Sequence, residues 1–190
     1  MLAIGYDLYV KFLERAVREI QGKQLEEDIE TSVDLNVDGY IPSSFIENEE
    51  QKIEIYKKIA AAENKNDILD ITEEIIDRFG NIPPQVGNLL KISYIKSLCK
   101  KLHIKAISQA GNTVSIEMTG TGDLGQNIIE FLIKNYYKKI SFVGTNEPII
   151  KYKLDSLEQM KILRELEEFL ETLNNFKAGK TAVEEKHEQI

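Results

Sequence analysis

The sequence is poor in residues that build covalent or metal-bound scaffolds. Its 190 residues include one cysteine, Cys99, two histidines, His103 and His187, and no tryptophan. One thiol cannot close an internal disulfide, and this Cys/His set is too small for structural zinc. No apolar run approaches the roughly 20 residues that a membrane-spanning helix needs. The opening Met1-Leu2-Ala3-Ile4-Gly5-Tyr6-Asp7 lacks the basic-then-apolar order of a secretion signal, so a cytoplasmic location away from membranes is expected. Basic charge is in deficit too: 24 Lys and Arg against 32 Asp and Glu leave a formal charge of −8. That balance repels a phosphate backbone at long range and confines any DNA contact to a local patch. The phosphate-cradling pattern G-x-x-x-x-G-K-[ST] is missing, which excludes a self-contained P-loop ATPase.

What is present suits a packed domain, with 42% hydrophobic and 29% charged residues. From an Asp7 cap, Leu8, Phe12, Leu13, Ala16, Val17 and Ile20 recur at helical spacing until Gly22. An acidic stretch over 23–32, with Glu26, Glu27, Asp28 and Glu30, reads as a linker. A domain over 33–178 is expected beyond it, then a polar tail over 179–190 expected to be disordered. Alternating Val33, Leu35 and Val37 predict a strand that turns out at Tyr40-Ile41-Pro42. Three helices follow. The first, around 49–63, is expected to bury Ile53, Tyr56, Ile59 and Ala60. The second, capped by Asp67 and stopped by Gly80, should bury Ile68, Ile71, Ile75 and Phe79. The third starts at Pro83-Pro84 and carries Val86, Leu90, Tyr94, Leu98 and Leu102.

Lys105 to Ala110, a Gly111-Asn112 turn and alternating Val114, Ile116 and Met118 predict a hairpin. A helix over 123–137 with Leu124, Ile128, Phe131 and Leu132 inward, strands over 140–143 and 149–154, and a last helix from Asp155 complete the pattern. That last helix carries Leu157, Met160, Leu163, Leu166, Leu170 and Leu173. Elements that group instead of alternating predict an α+β fold: a small, mostly antiparallel sheet with a helical cluster and flanking helices.

Four features bear on chemistry. Gly120-Thr121-Gly122-Asp123-Leu124-Gly125 matches the dinucleotide pattern G-x-G-x-x-G between a strand and a helix. Its strand alternates polar and apolar residues, unlike a buried parallel strand, and beyond Glu147 no acidic ribose ligand suggests itself. A plain strand-to-helix turn is the simpler reading, with a nucleotide-binding module as the alternative. Lys100, Lys101 and Lys105, or Lys138 and Lys139, are the local basic groups that a DNA-contacting accessory domain would use. His103 is expected at a helix end, and Cys99 as a small semi-buried residue, not a nucleophile. On the second helix, Asp70, Glu74 and Asp77 fall at i, i+4 and i+7 and form a ridge opposite the Ile71, Ile75 and Phe79 stripe, with Arg78 beside it. On composition this is a solvated face, with docking on a basic partner as the sharper reading.

Several blocks taken together resemble one family. They are Asp34-Leu35-Asn36-Val37-Asp38-Gly39-Tyr40-Ile41-Pro42, Glu54-Ile55-Tyr56-Lys57-Lys58-Ile59-Ala60-Ala61-Ala62, Ile76-Asp77-Arg78-Phe79-Gly80-Asn81-Ile82-Pro83 and Asn88-Leu89-Leu90. In order and spacing they are similar to the C-terminal domain of bacterial transcription-repair coupling factors, the Mfd family. Ile4 to Tyr9 and Glu14 to Val17 look like the last helix of the preceding motor region. The likeness is strong over 4–102 and weaker beyond.

The resemblance implies a noncatalytic regulatory piece of an ATP-driven DNA translocase that displaces stalled RNA polymerase and recruits UvrA for excision repair. It implies no cofactor in this piece, ATP and magnesium being used by the full-length family protein. The implied partner is the UvrB-like N-terminal module of the same protein, docked in cis so that its UvrA-binding surface is hidden. The family's docking acids map onto Glu74 and Asp77, with Arg78 adjacent; Asp70 shares their face by geometry only.

Overall fold

The structure, a computed structural model, describes residues 31–119, 125–144 and 149–179. The helix expected over 1–22, the linker up to residue 30, Gly120 to Leu124, Glu147 and the tail from residue 180 lie outside the described residues. The elements in chain order are β1 (Ser32–Asp34), α1 (Glu49–Ala61), α2 (Lys65–Phe79), α3 (Pro84–Leu102), β2 (Ile104–Ala110), β3 (Thr113–Met118), α4 (Gln126–Tyr136), β4 (Ile140–Val143), β5 (Ile149–Lys153) and α5 (Gln159–Lys177).

The five strands form one sheet in the order β1-β2-β3-β5-β4. Only β1 and β2 pair in parallel; β2 with β3, β3 with β5 and β5 with β4 are antiparallel. The fold is thus α+β with a mostly antiparallel sheet. β3 and β4 run in the same direction with β5 slotted between them, so β3-α4-β4 is a split β-α-β unit. One sheet face is apolar: Ile107, Val114, Ile116, Ile150 and Tyr152 are buried against the helices. The opposite face carries Ser108, Thr113, Ser115, Glu117, Lys151 and Lys153 by register.

In β2, Ile104 and Ile107 both point into the core although they stand three apart. A register irregularity between Ile104 and Ala106 supplies the extra residue that makes this possible. At the entry to β2, His103 ends α3 in a left-handed conformation, φ 60°.

Two apolar clusters share α3 as their spine. The larger joins its C-terminal half, Tyr94 to Leu102, to the sheet and to Ile162, Leu163, Leu166, Phe169, Leu170 and Leu173 of α5. The smaller lies under α1 and α2 and holds Ile41, Ile46, Ile55, Ile59, Ile71, Ile75, Val86 and Leu90.

Several family-like residues turn out to be joints between these layers. A Cβ on Gly39 would sit 2.8 Å from Ile92 Cδ1 and 3.3 Å from Leu89 Cα, so only glycine lets this loop lie against α3. Asn88, buried in α3, donates from Nδ2 to the Asp38 carbonyl at 3.0 Å and to Gln159 Oε1 at 3.1 Å. Gln159 in turn donates to the Asp38 carboxylate at 3.0 Å. The block ending in Tyr40-Ile41-Pro42 is thereby tied to both α3 and α5.

Several expectations are corrected. β1 ends at Asp34, although the in-and-out alternation continues through Val37. Ile53 is 51% exposed and Ala60 is exposed; the buried line of α1 is Lys52, Ile55 and Ile59. Asn64, not Asp67, caps α2: its side chain accepts from the Asn66 and Asp67 amides, while the Asp67 carboxylate accepts from the Asn64 amide, a reciprocal capping box. α5 begins at Gln159, because the Ser156 hydroxyl accepts from the Glu158 amide and holds a turn there; Leu157 and Met160 are left exposed. Cys99 is fully buried, and burial pushes its thiol up to about 12.

Candidate functional site

The α1–α2 hairpin carries the candidate docking surface. Each helix bears a glutamate followed four residues on by a cation: Glu54 and Lys58 on α1, Glu74 and Arg78 on α2. Where two helices cross back on each other, such pairs can each set their carboxylate against the other's cation. Lys58 Nζ lies 2.6 Å and 2.9 Å from the two Glu74 oxygens, and 3.0 Å from Glu54 Oε1. Arg78 donates to Glu74 at 2.6 Å and forks onto both Glu54 oxygens at 3.2 Å and 3.3 Å. Its guanidinium also stands 5.0 Å from the Phe79 ring centroid.

The quartet is electrically neutral and mutually reinforcing. The Arg78 and then the Lys58 hydrogen bonds pull the Glu54 carboxyl down to about 2. Lys58, then Arg78, hold the Glu74 carboxyl below the usual range. Lys58 is raised by the same contacts, with Glu74 the larger contributor.

The expected ridge is therefore split. Glu74 is 31% exposed and doubly paired, and Arg78 is spent on the two glutamates. Asp70 and Asp77 are exposed and make no hydrogen bond or ion pair with any described residue. Glu73, exposed and at i+3 from Asp70, completes an outward row of carboxylates that the i, i+4, i+7 reading passed over. Leu69 and Ile76, 52% and 48% exposed, flank this row on the same helix. The outward face of α2 thus presents three acids with no partner among the described residues, beside two apolar side chains, with the quartet as its inner border. The signal for the quartet was there to be read as the two repeated Glu-to-cation spacings, but only tertiary pairing brings them together.

Other charged groups are committed elsewhere. Lys65 pairs with Glu171 at 2.9 Å, Lys91 with Glu167 at 2.7 Å, and the Tyr94 hydroxyl donates to Glu171 at 2.8 Å, clamping α2 and α3 to α5. Lys139, named above as a possible DNA contact, is held by Asp155 and Glu165; burial works against its charge, but those carboxylates outweigh it and raise its pKa. Lys100, Lys101 and Lys138 are exposed. A cavity of about 330 Å³ beside Lys139 is floored by Tyr136, Tyr152 and Phe169. Of the glycine loop only Gly125 is described. Its φ is −58° and a Cβ there would meet nothing, so neither left-handed backbone nor close approach explains it. The strand before that loop is antiparallel to both neighbours, which gives the nucleotide reading no support. Among the described residues no group of three His, Cys, Asp or Glu side chains could hold a metal, and no helix is long and apolar enough to cross a membrane.

The described residues thus form a small α+β domain whose chief surface feature is an acid-edged helical hairpin. Comparison with known proteins is specific. Residues 35–126 match the family model of the TRCF domain. The transcription-repair-coupling factor of Staphylococcus aureus is 42% identical over 118 residues, 61% of this chain and 10% of that protein. Its Staphylococcus haemolyticus counterpart is 38% identical over 119 residues, again 10% of its length. A crystal structure of the C-terminal domain of a transcription-repair coupling factor superposes with a TM-score of 0.68 at 28% identity, covering 79% of this chain and 95% of that one. The chain carries the C-terminal domain of the transcription-repair coupling factor family, and spans about a tenth of the length of the curated relatives it matches.

Proposed function

We propose that this domain is a noncatalytic, autoinhibitory latch within a transcription-repair coupling factor. It docks in cis on the UvrB-like N-terminal module, masks the UvrA-binding surface, and releases it when the full-length translocase engages stalled RNA polymerase. ATP and magnesium act in the motor, not here, and the work is done in the cytoplasm. The observation that carries this reading is the row Asp70, Glu73 and Asp77, carboxylates without a partner among the described residues on one exposed helix face, bordered by Glu74 and Arg78.

Modest affinity is sufficient for such a latch. A tethered domain meets its partner at an effective concentration on the order of millimolar, so a separate-molecule Kd near ~10 μM keeps it about 99% closed. Carboxylates facing arginines give orientation and salt sensitivity at little net energy, and expose no large apolar patch on release.

The test is a titration of this chain against the UvrB-like module of the same protein at low and high salt. Binding should weaken with salt and fall at least about tenfold, ~1.4 kcal/mol, in an Asp70→Asn, Asp77→Asn double variant. Undiminished binding by that variant and by Glu74→Gln removes this face from the mechanism.

A further inference from the structure

At the far end of the sheet, β4 is an edge strand with an unusual lack of protection. Edge strands are normally blunted by proline, by inward charge or by extreme shortness. β1, at the other edge, is three residues long and carries Asp34. β4 reads Ile140-Ser141-Phe142-Val143, without proline or charge, and among the described residues nothing pairs with its outer side.

The register fixes which backbone groups are free. The Lys153 amide donates to the Lys139 carbonyl at 2.7 Å, and Ser141 and Val143 stand opposite Lys151 and Ile149. Hydrogen-bonded pairs alternate along an antiparallel ladder, so residues 139, 141 and 143 face β5, while the N–H and C=O of Ile140 and Phe142 point outward. α4 forms a wall beside this edge. Phe131 stacks on Phe176 of α5 with ring centroids 4.1 Å apart, which orients that flank of α4 toward α5. Ile133 and Tyr137 lie on the opposite flank, 50% and 64% exposed, and Phe142, opposite Ile150 on the apolar face of the sheet, is exposed too. An extended backbone laid along β4 would find free hydrogen-bonding groups on one side and an apolar wall on the other.

Charge selects the occupant. Lys134, Lys138, Lys151 and Lys153 are all exposed around this edge, in a chain whose net charge is −8. Two copies joined through β4 would bring these lysine-bearing edges together, which like-charge repulsion disfavours. We propose that the β4 edge and the α4 flank form a strand-addition site for an extended, acidic segment of a partner protein with apolar residues at alternate positions. The site is separate from the α2 face and does not rest on the latch reading.

The test uses this 190-residue chain and two synthetic peptides about ten residues long, one alternating valine with glutamate and the other valine with lysine. Amide hydrogen exchange at Ile140 is the readout. The glutamate peptide should slow it at least about tenfold and the lysine peptide should not. Phe142→Pro, whose lost N–H faces away from β5, should abolish the protection without lowering the melting temperature. A Lys134→Glu, Lys138→Glu double variant, which leaves the strand intact, should reverse the peptide preference. No protection by either peptide, equal protection by both, or a concentration-dependent dimer abolished by Phe142→Pro would each overturn the proposal.

Discussion

The cluster under the sheet and the cluster under the α1–α2 hairpin are made of different materials. The larger is filled by leucines, isoleucines and interlocked rings, with Tyr152 and Phe169 at 4.7 Å and Tyr136 set edge-on to Phe169 at 5.1 Å. The smaller is mostly isoleucine, and on its outer side the hairpin is clasped by the neutral Glu54-Lys58-Glu74-Arg78 quartet. The family-like blocks concentrate on the smaller cluster and on its joints to the spine, Gly39 and Asn88 among them. The matched family region ends at residue 126, where α4 begins. The matched region therefore takes in all of the smaller cluster but only the α3, β2 and β3 side of the larger one, whose α4, β5 and α5 side has to supply apolar groups of the right volume.

Breaking the larger cluster should have the greatest effect. Phe169→Ala removes a ring from a fully buried site and is expected to cost about 3–5 kcal/mol in denaturant unfolding. Ile75→Ala, in the smaller cluster, should cost about 2–4 kcal/mol. Its increased hydrogen exchange should be confined to α1, α2 and the start of α3; a uniform increase across the sheet would show that the two clusters open as one. Gly39→Ala tests the joint: the added carbon meets Ile92 and the α3 backbone, and a loss of about 1–3 kcal/mol is expected, since the Ile92 end can yield but the Leu89 backbone cannot.

The quartet gives the smallest effect and one with a definite sign. Glu54 and Glu74 titrate lower in the folded chain than the ordinary carboxylate value near 4.5. Their contribution is therefore complete above that value and is lost as pH falls toward about 2, where Glu54 protonates. Thermal melts between these limits should show an acid loss that is smaller in a Glu54→Gln, Glu74→Gln variant. Equal acid sensitivity in the two proteins would place the loss in other carboxylates.

Most element positions and the fold class were legible because periodicity was strong, as in Ile71 and Ile75 of α2 or Val114, Ile116 and Met118 of β3. The failures have local physical causes. Ile53 and Ile55 stand two apart on α1, so periodicity allows either to lead the buried stripe, and only packing against Ile71, Ile75 and Val86 selects Ile55. Asn64 and Asp67 are both competent caps, and the first wins because the second can reciprocate. The candidate site was half legible. The exposed acids follow from helical spacing, whereas the neutralisation of Glu74 by Lys58, sixteen residues away, depends on a tertiary contact that spacing along one helix cannot show.

The extra residue in β2 makes that strand unusually forgiving of length change. Elsewhere in the sheet, dropping one residue would turn every later side chain to the wrong face. In β2, removing Lys105 would leave Ile104 and Ile107 two positions apart, still on a common side. A chain shortened at that point should keep its sheet, which makes the entry to β2 a place where related sequences can differ by a residue without refashioning the core.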